Sequence, residues 1–256
     1  DRSGFAEAIE KAGKADIVVL TVGEARDMSG EAKSRSSIQL PGVQEELVKA
    51  IVALGKPTVV LISAGRPLIF NWTADHAPAI LYTWWLGTEG GNAIADVLFG
   101  DYNPSGRLPM SFPRAEGQIP IYYNHYNTGR PAMHDSDKFY RSAYTDLSIY
   151  PKYPFGYGLS YTQFEYSPVS LSAATLCKGQ TLRASVTLTN KGKVSGKETV
   201  QLYIRDMSGS VVRPVRELKG FQQVQLQAGE SKTISFNLTV EDLRFYNEQL
   251  KYIWEP

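Results

Sequence analysis

Two glutamates stand close together in a charged stretch, residues 23–35, that reads GEARDMSGEAKSR. A carboxyl group becomes an effective proton donor when desolvation raises its pKa toward neutrality, and it acts as a base once that proton has left. Glu24 and Glu31 are therefore candidates for general acid/base chemistry. The stretch also supports a plainer reading, a solvated loop whose glutamates pair with Arg26, Lys33 and Arg35. Spacing alone leaves both readings open.

Other segments narrow the chemistry. Residues 87–92, GTEGGN, can present backbone N–H groups to a phosphate. The Gly-Lys-Ser/Thr of a P-loop and the three spaced glycines of a dinucleotide site are both missing, so the glycines are expected to serve close approach of a helix to a sheet. The three histidines, His76, His125 and His134, are scattered without metal-ligand spacing, so neither metal nor cofactor is implied. Around His125, residues 122–130 read YYNHYNTGR, a composition that suits stacking on a sugar and equally suits packing against another domain. Trp84 and Trp85 end an apolar run, where core or interface positions are expected ahead of a carbohydrate site. No Gly-x-Ser-x-Gly elbow occurs, which disfavours an α/β-hydrolase esterase. The Asn71-Trp72-Thr73 and Asn237-Leu238-Thr239 triplets match the glycosylation pattern, which recurs too readily by chance to carry weight.

The elements that must position these residues change character along the chain. Phe5, Ala8, Ile9 and Ala12 recur at helical spacing. Residues 16–22, DIVVLTV, form a continuous apolar run expected as a strand buried on both faces. A loop over 23–41 follows, placing Glu24 and Glu31 beyond the carboxyl end of that strand, where ligands sit in parallel α/β sheets. A helix over 43–54 is stopped by Gly55 and Pro57, and strands are expected at 58–63 and 79–84. Gly90 and Gly91 open a helix through Phe99, closed by Gly100. This alternation predicts a mainly parallel sheet with flanking helices. From about Tyr166 the pattern becomes short alternating runs split by turn residues, at 182–189, 198–204, 219–226 and 232–238, within about six candidate strands. An antiparallel sandwich of the immunoglobulin or fibronectin kind is predicted. Residues 153–161, YPFGYGLSY, read as an ordered junction. The expected division is 1–150 for the α/β domain, 151–164 for the junction and 165–256 for the sandwich. Both ends read as cut: the α/β pattern opens on a helix with no strand feeding it, and residues 252–256 stop inside a candidate strand.

Composition excludes several classes. Of the 256 residues, 43% are hydrophobic and 21% charged, as in globular proteins rather than disordered ones. The formal net charge of +1 favours neither nucleic acid nor an anionic membrane, so neither partner is expected. No apolar run reaches the ~18–20 residues of a spanning helix. The single cysteine, Cys177, cannot form an internal disulfide.

Four stretches carry a resemblance. Residues 22–35, VGEARDMSGEAKSR, resemble the acid/base loop of glycoside hydrolase family 3. Residues 83–114, TWWLGTEGGNAIADVLFGDYNPSGRLPMSFPR, resemble the long signature of its α/β sandwich domain. Residues 153–162 are similar to the family's junction with a fibronectin type III-like domain, and 213–226, RPVRELKGFQQVQL, to a segment of that domain. The likeness covers nearly the whole chain and is closest to the bacterial periplasmic β-glucosidase branch. It implies a retaining enzyme that hydrolyses terminal non-reducing β-D-glucosyl residues. It also implies a barrel domain of the same protein that carries the nucleophilic aspartate and most sugar contacts, and that no segment here matches.

Carried over residue by residue, the resemblance implies that Glu31 is the acid/base, with Glu24 the alternative because it directly follows the strand. Met28 and Ser29 would border the leaving group. Partners implied are a β-glucoside or oligosaccharide and the barrel domain, and the location implied is periplasmic or secreted. Without the barrel this chain is expected to be inactive. The competing expectation is a non-catalytic module that binds carbohydrate or docks the barrel.

Overall fold

The computed structural model describes residues 1–137 and 139–255, so Pro256, the end of the last candidate strand, lies outside the described residues. The chain divides into two compact units. The first holds residues 1–95, 110–121 and 146–154, and the second holds 96–109, 122–145 and 155–256.

The first unit opens on α1, Phe5–Lys14, whose solvent face carries the i,i+4 pairs Glu7–Lys11 and Glu10–Lys14 while Ala12 is buried. The parallel sheet follows in the order β1 (Val18–Gly23), β2 (Thr58–Ser63), β3 (Ala79–Tyr82). Its register pairs Val18 with Thr58 through Gly23 with Ser63, and Val59 with Ala79. Between β1 and β2 runs α2, Gln44–Val52, which buries Val48 and Ile51 and ends before Gly55 at φ +69°. The sheet is thus mainly parallel with flanking helices, as the alternation predicted.

Only the middle strand is buried on both faces: Val60, Leu61 and Ile62 are each 5% exposed or less. β1 corrects the expectation made for it. It lies at the sheet edge, and Ile17 and Val19 are 63% and 50% exposed, so its apolar run did not signal two covered faces. β3 ends two residues early because Trp84 takes a left-handed φ of +55°, although the Thr83 N–H still donates to the Ile62 carbonyl. A short helix not foreseen, α3 (Asn71–His76), joins β2 to β3. The later segments of this unit return to one aromatic cluster, in which Phe112, 1% exposed, meets Phe70, Tyr82, Trp84 and Tyr153 with ring centroids 4.9–6.4 Å apart. α4 spans Gly90–Phe99 as read from its glycines. The close approach there is to the side chain of Leu86, 2.7 Å from a Cβ placed on Gly90, and not to the sheet, whereas Gly91 faces open space.

The second unit is an antiparallel sandwich. β6 (Leu182–Asn190) is flanked on one side by β4 (Phe164–Tyr166) and β5 (Ser170–Leu171), and on the other by β9 (Ser231–Leu238). β7 (Gly196–Ile204) and β8 (Glu217–Leu226) pair as a second layer, and β10 (Phe245–Tyr246) and β11 (Tyr252–Ile253) as a short ribbon. The alternating positions Leu188, Val200, Val224, Leu226 and Ile234 form the core, each 6% exposed or less. Asn190, fully buried at the end of β6, is satisfied by donating to Val194 and Leu226 carbonyls and accepting from the Thr162 hydroxyl and the Gly192 N–H.

Candidate active site

The site grows from the parallel register. Because Gly23 lies opposite Ser63, the residues that leave β1 and β2 emerge side by side. Gly23 itself must be glycine: its φ is +137°, and a Cβ there would sit 1.9 Å from the Ser63 carbonyl oxygen. The Gln44 side chain clamps its backbone, donating to the Gly23 carbonyl at 2.9 Å and accepting its N–H at 2.7 Å.

One residue further, the Glu24 side chain is wholly removed from solvent. Its Oε1 pairs with Arg35 at 2.9 Å and with Arg66 at 2.8 Å, and its Oε2 accepts the Gly65 N–H at 3.2 Å. Both oxygens are engaged, and neither is open to a substrate. Arg66 also donates through Nη2 to the carbonyls of Met28 at 2.6 Å and Lys33 at 3.0 Å. Arg35 donates to the Gln39 carbonyl at 3.1 Å. A short 3₁₀ turn, Arg26–Met28, leads out of β1.

Between the two carbonyls held by Arg66 lies the loop tip, residues 29–32. It is a tight turn in which the Lys33 N–H returns to the Gly30 carbonyl, with Gly30 at φ +128° and Ala32 at +57°. Glu31 stands on this tip and is exposed. Ser29 turns the other way: its Oγ and the Trp85 indole nitrogen crowd Gly65 so closely that a Cβ there would lie 2.0 and 2.6 Å from them. Arg26, Ser29 and Trp85 together line a concavity of about 330 Å³. The two tryptophans therefore separate, Trp84 joining the aromatic cluster and Trp85 remaining 47% exposed beside the loop.

The structure thus distinguishes the two glutamates that spacing could not. Glu24 is an occluded ion-pair centre, and Glu31 is a solvent-facing carboxyl on a braced turn. Met28 precedes the tip, its carbonyl held by Arg66 and its N–H donated to the Ala25 carbonyl, and Ser29 opens the tip. Arg66 had no signal as a site residue, since it comes from another strand end, whereas Trp85 belonged to the aromatic patch expected at core or interface positions ahead of a carbohydrate site. The 122–130 loop packs within the second unit, where Tyr123 stacks on Phe155 at 4.2 Å and the His125 carbonyl accepts the Val215 N–H. No cluster of three or more His, Cys, Asp or Glu able to hold a metal occurs among the described residues, and no described helix is long and apolar enough to cross a membrane.

Comparison with known proteins identifies the family. Residues 2–161 match the glycosyl hydrolase family 3 C-terminal domain, and residues 198–256 a fibronectin type III-like domain. The chain is 52% identical over 250 residues to a periplasmic β-glucosidase of Salmonella typhimurium, covering 98% of this chain and 33% of that protein. It is 44% identical over 255 residues to a β-xylosidase of Formosa agariphila, covering 100% and 34%. The crystal structure of a β-glucosidase from Listeria innocua in complex with glucose superposes with a TM-score of 0.95 at 44% identity, over 100% of this chain and 36% of that one. The chain spans about a third of the length of these relatives. It belongs to glycosyl hydrolase family 3, as the family's C-terminal α/β domain followed by a fibronectin type III-like domain.

Proposed function

We propose that this chain supplies the proton donor of a retaining β-glucosidase, with Glu31 as general acid/base and Met28 and Ser29 beside the leaving group. The supporting observation is the contrast on one loop: Glu24 is sealed in two ion pairs, and Glu31 is presented to solvent on a turn fixed at both ends. The nucleophilic carboxylate and the main sugar pocket belong to a barrel domain of the same protein, outside these residues. The substrate is a terminal non-reducing β-D-glucosyl residue, by the greater identity to the Salmonella β-glucosidase than to the β-xylosidase. Periplasmic or secreted placement follows from the same relative.

In the first step Glu31 gives its proton to the glycosidic oxygen as that oxygen leaves the anomeric carbon, and the nucleophile's carboxylate bonds to the carbon. In the second, Glu31 takes a proton from water, whose oxygen attacks the anomeric carbon and frees the nucleophile. The two carboxyl groups of a retaining pair stand about 5–5.5 Å apart, so Glu31 must project from its own domain. A carboxyl on an exposed turn can do so, and one buried like Glu24 cannot.

The test is Glu31→Ala in the full-length protein, assayed on cellobiose and on 2,4-dinitrophenyl β-glucoside. Cellobiose turnover should fall by about 10²–10⁴-fold, the contribution typical of a general acid. Glycosylation from the dinitrophenyl substrate, whose leaving group needs no proton, should be largely spared, and azide should restore its turnover with formation of glucosyl azide. Wild-type behaviour on both substrates would remove Glu31 from the mechanism. The isolated chain should turn over neither substrate; activity abolished by Glu31→Ala in that chain would refute the assignment of the nucleophile elsewhere.

A further inference from the structure

We infer that Arg66 is a positioning residue for the acid/base, a staple that closes the loop tip and is itself aimed by Glu24. The inference rests on the reading of Glu31 as the acid/base. Three observations carry it. First, Arg66 comes from the loop after β2, 33 or more residues distant from any residue it holds, yet the register of β1 and β2 brings it against residue 24. Second, it binds on both sides of the tip: Nη2 donates to the carbonyls of Met28 and Lys33, while Nε lies 2.8 Å from the Glu24 carboxylate in an ion pair without a hydrogen bond. Third, Glu24 is buried with both carboxylate oxygens engaged, and its second partner, Arg35, anchors the distal limb of the same loop to Gln39.

A planar guanidinium suits this task because its donors are fixed relative to one another. The ion pair with the Glu24 carboxylate draws the guanidinium in beside the loop, and Nη2, shared by two carbonyls, sets the separation of Met28 and Lys33. A lysine keeps the charge against Glu24 but cannot address the carboxylate and both carbonyls in one plane. Glu31 sits midway along the segment so closed. Loss of the staple should therefore leave the glutamate in place chemically and scatter it geometrically, and a displacement on the order of 1 Å at a reacting group can cost about 10²-fold.

The experiment uses the full-length protein with Arg66→Lys, which preserves the buried ion pair, and Arg66→Ala beside it. Two readouts are taken: the ratio of kcat/KM for cellobiose to that for 2,4-dinitrophenyl β-glucoside, and hydrogen exchange of peptides covering residues 28–33 and 58–63. The expected result for Arg66→Lys is a drop of about 10–100-fold on cellobiose with the activated substrate near wild type. Faster exchange should be confined to 28–33. Equal losses on both substrates would show a merely structural role, and unchanged exchange at 28–33 would show that Arg66 does not hold the tip; either overturns the inference. Glu31→Ala, run alongside, separates the two readings. If it shows no leaving-group dependence, the acid/base assignment falls, and the exchange result alone then decides whether Arg66 staples the loop.

Discussion

Removing the Glu24 carboxylate gives a sharp test of the loop's architecture, because its effect belongs to stability. At about 4 Å and an effective dielectric near 20, each guanidinium–carboxylate pair holds about 4 kcal/mol of Coulomb attraction, much of which is cancelled by desolvation. Glu24→Ala deletes the anion and leaves Arg35 and Arg66, whose side chains are 20% and 19% exposed, facing each other uncompensated. Breaking a buried pair by removing one partner costs about 3–5 kcal/mol. The two pairs share one carboxylate and so do not add, and both arginines can recover some hydration, which sets the expectation near the lower end, about 3 kcal/mol. Glu24→Gln keeps the volume and an acceptor for the Gly65 N–H and should lose less. Urea unfolding followed by tryptophan fluorescence suits the measurement, because Trp72, Trp84 and Trp85 all lie in the first unit. A double-mutant cycle with Arg66→Met should return a coupling of about 1–3 kcal/mol. A Glu24→Ala loss within about 0.5 kcal/mol, the range of ordinary surface substitutions, would refute the burial and pairing described for this carboxylate.

Other consequences can be checked independently. Leu188→Ala in the sandwich core, where Val200, Val224, Leu226 and Ile234 close around the removed atoms, should cost about 2–5 kcal/mol in urea unfolding followed by far-UV circular dichroism. Arg107→Met leaves Glu198, whose side chain is 8% exposed, without the guanidinium 2.5 Å from it, and should destabilise the second unit by about 3–5 kcal/mol in the same assay. Glu116 accepts the Ser37 hydroxyl at 2.9 Å and the Ile38 N–H at 3.1 Å. Its own backbone N–H, followed by those two groups, holds its carboxyl below the usual range against the opposing effect of burial. A depressed folded-state pKa contributes stability that is present above the unfolded value of about 4.3 and is lost as pH falls through the folded one. The Ile38 amide resonance should therefore shift with a midpoint below about 4.3, and a midpoint at or above that value would contradict the tether.

Much of the fold is local and was legible in the chain. The run TVVLIS at Thr58–Ser63 and the glycine-opened helix Gly90–Phe99 occupy the bounds read from them, because apolar continuity and Gly boundaries act within a few residues. Alternation likewise delimited β6 to β9 within one or two residues, since one face of each strand had to be apolar to meet the other layer. The run at 16–22 misled because hydrophobicity does not say whether a strand is central or at an edge, and among the described strands β1 pairs with β2 alone.

What the sequence by itself determined is therefore the class of each half, the family likeness and the loop that holds both glutamates. Which glutamate is buried in ion pairs and which is left exposed was decided by tertiary structure. The two are seven residues apart and chemically identical; only the register of β1 against β2 brings Arg66 to Glu24 and leaves Glu31 outside the network. A buried charge needs partners of opposite sign, and here one of them arrives from 42 residues along the chain, beyond the reach of any local pattern.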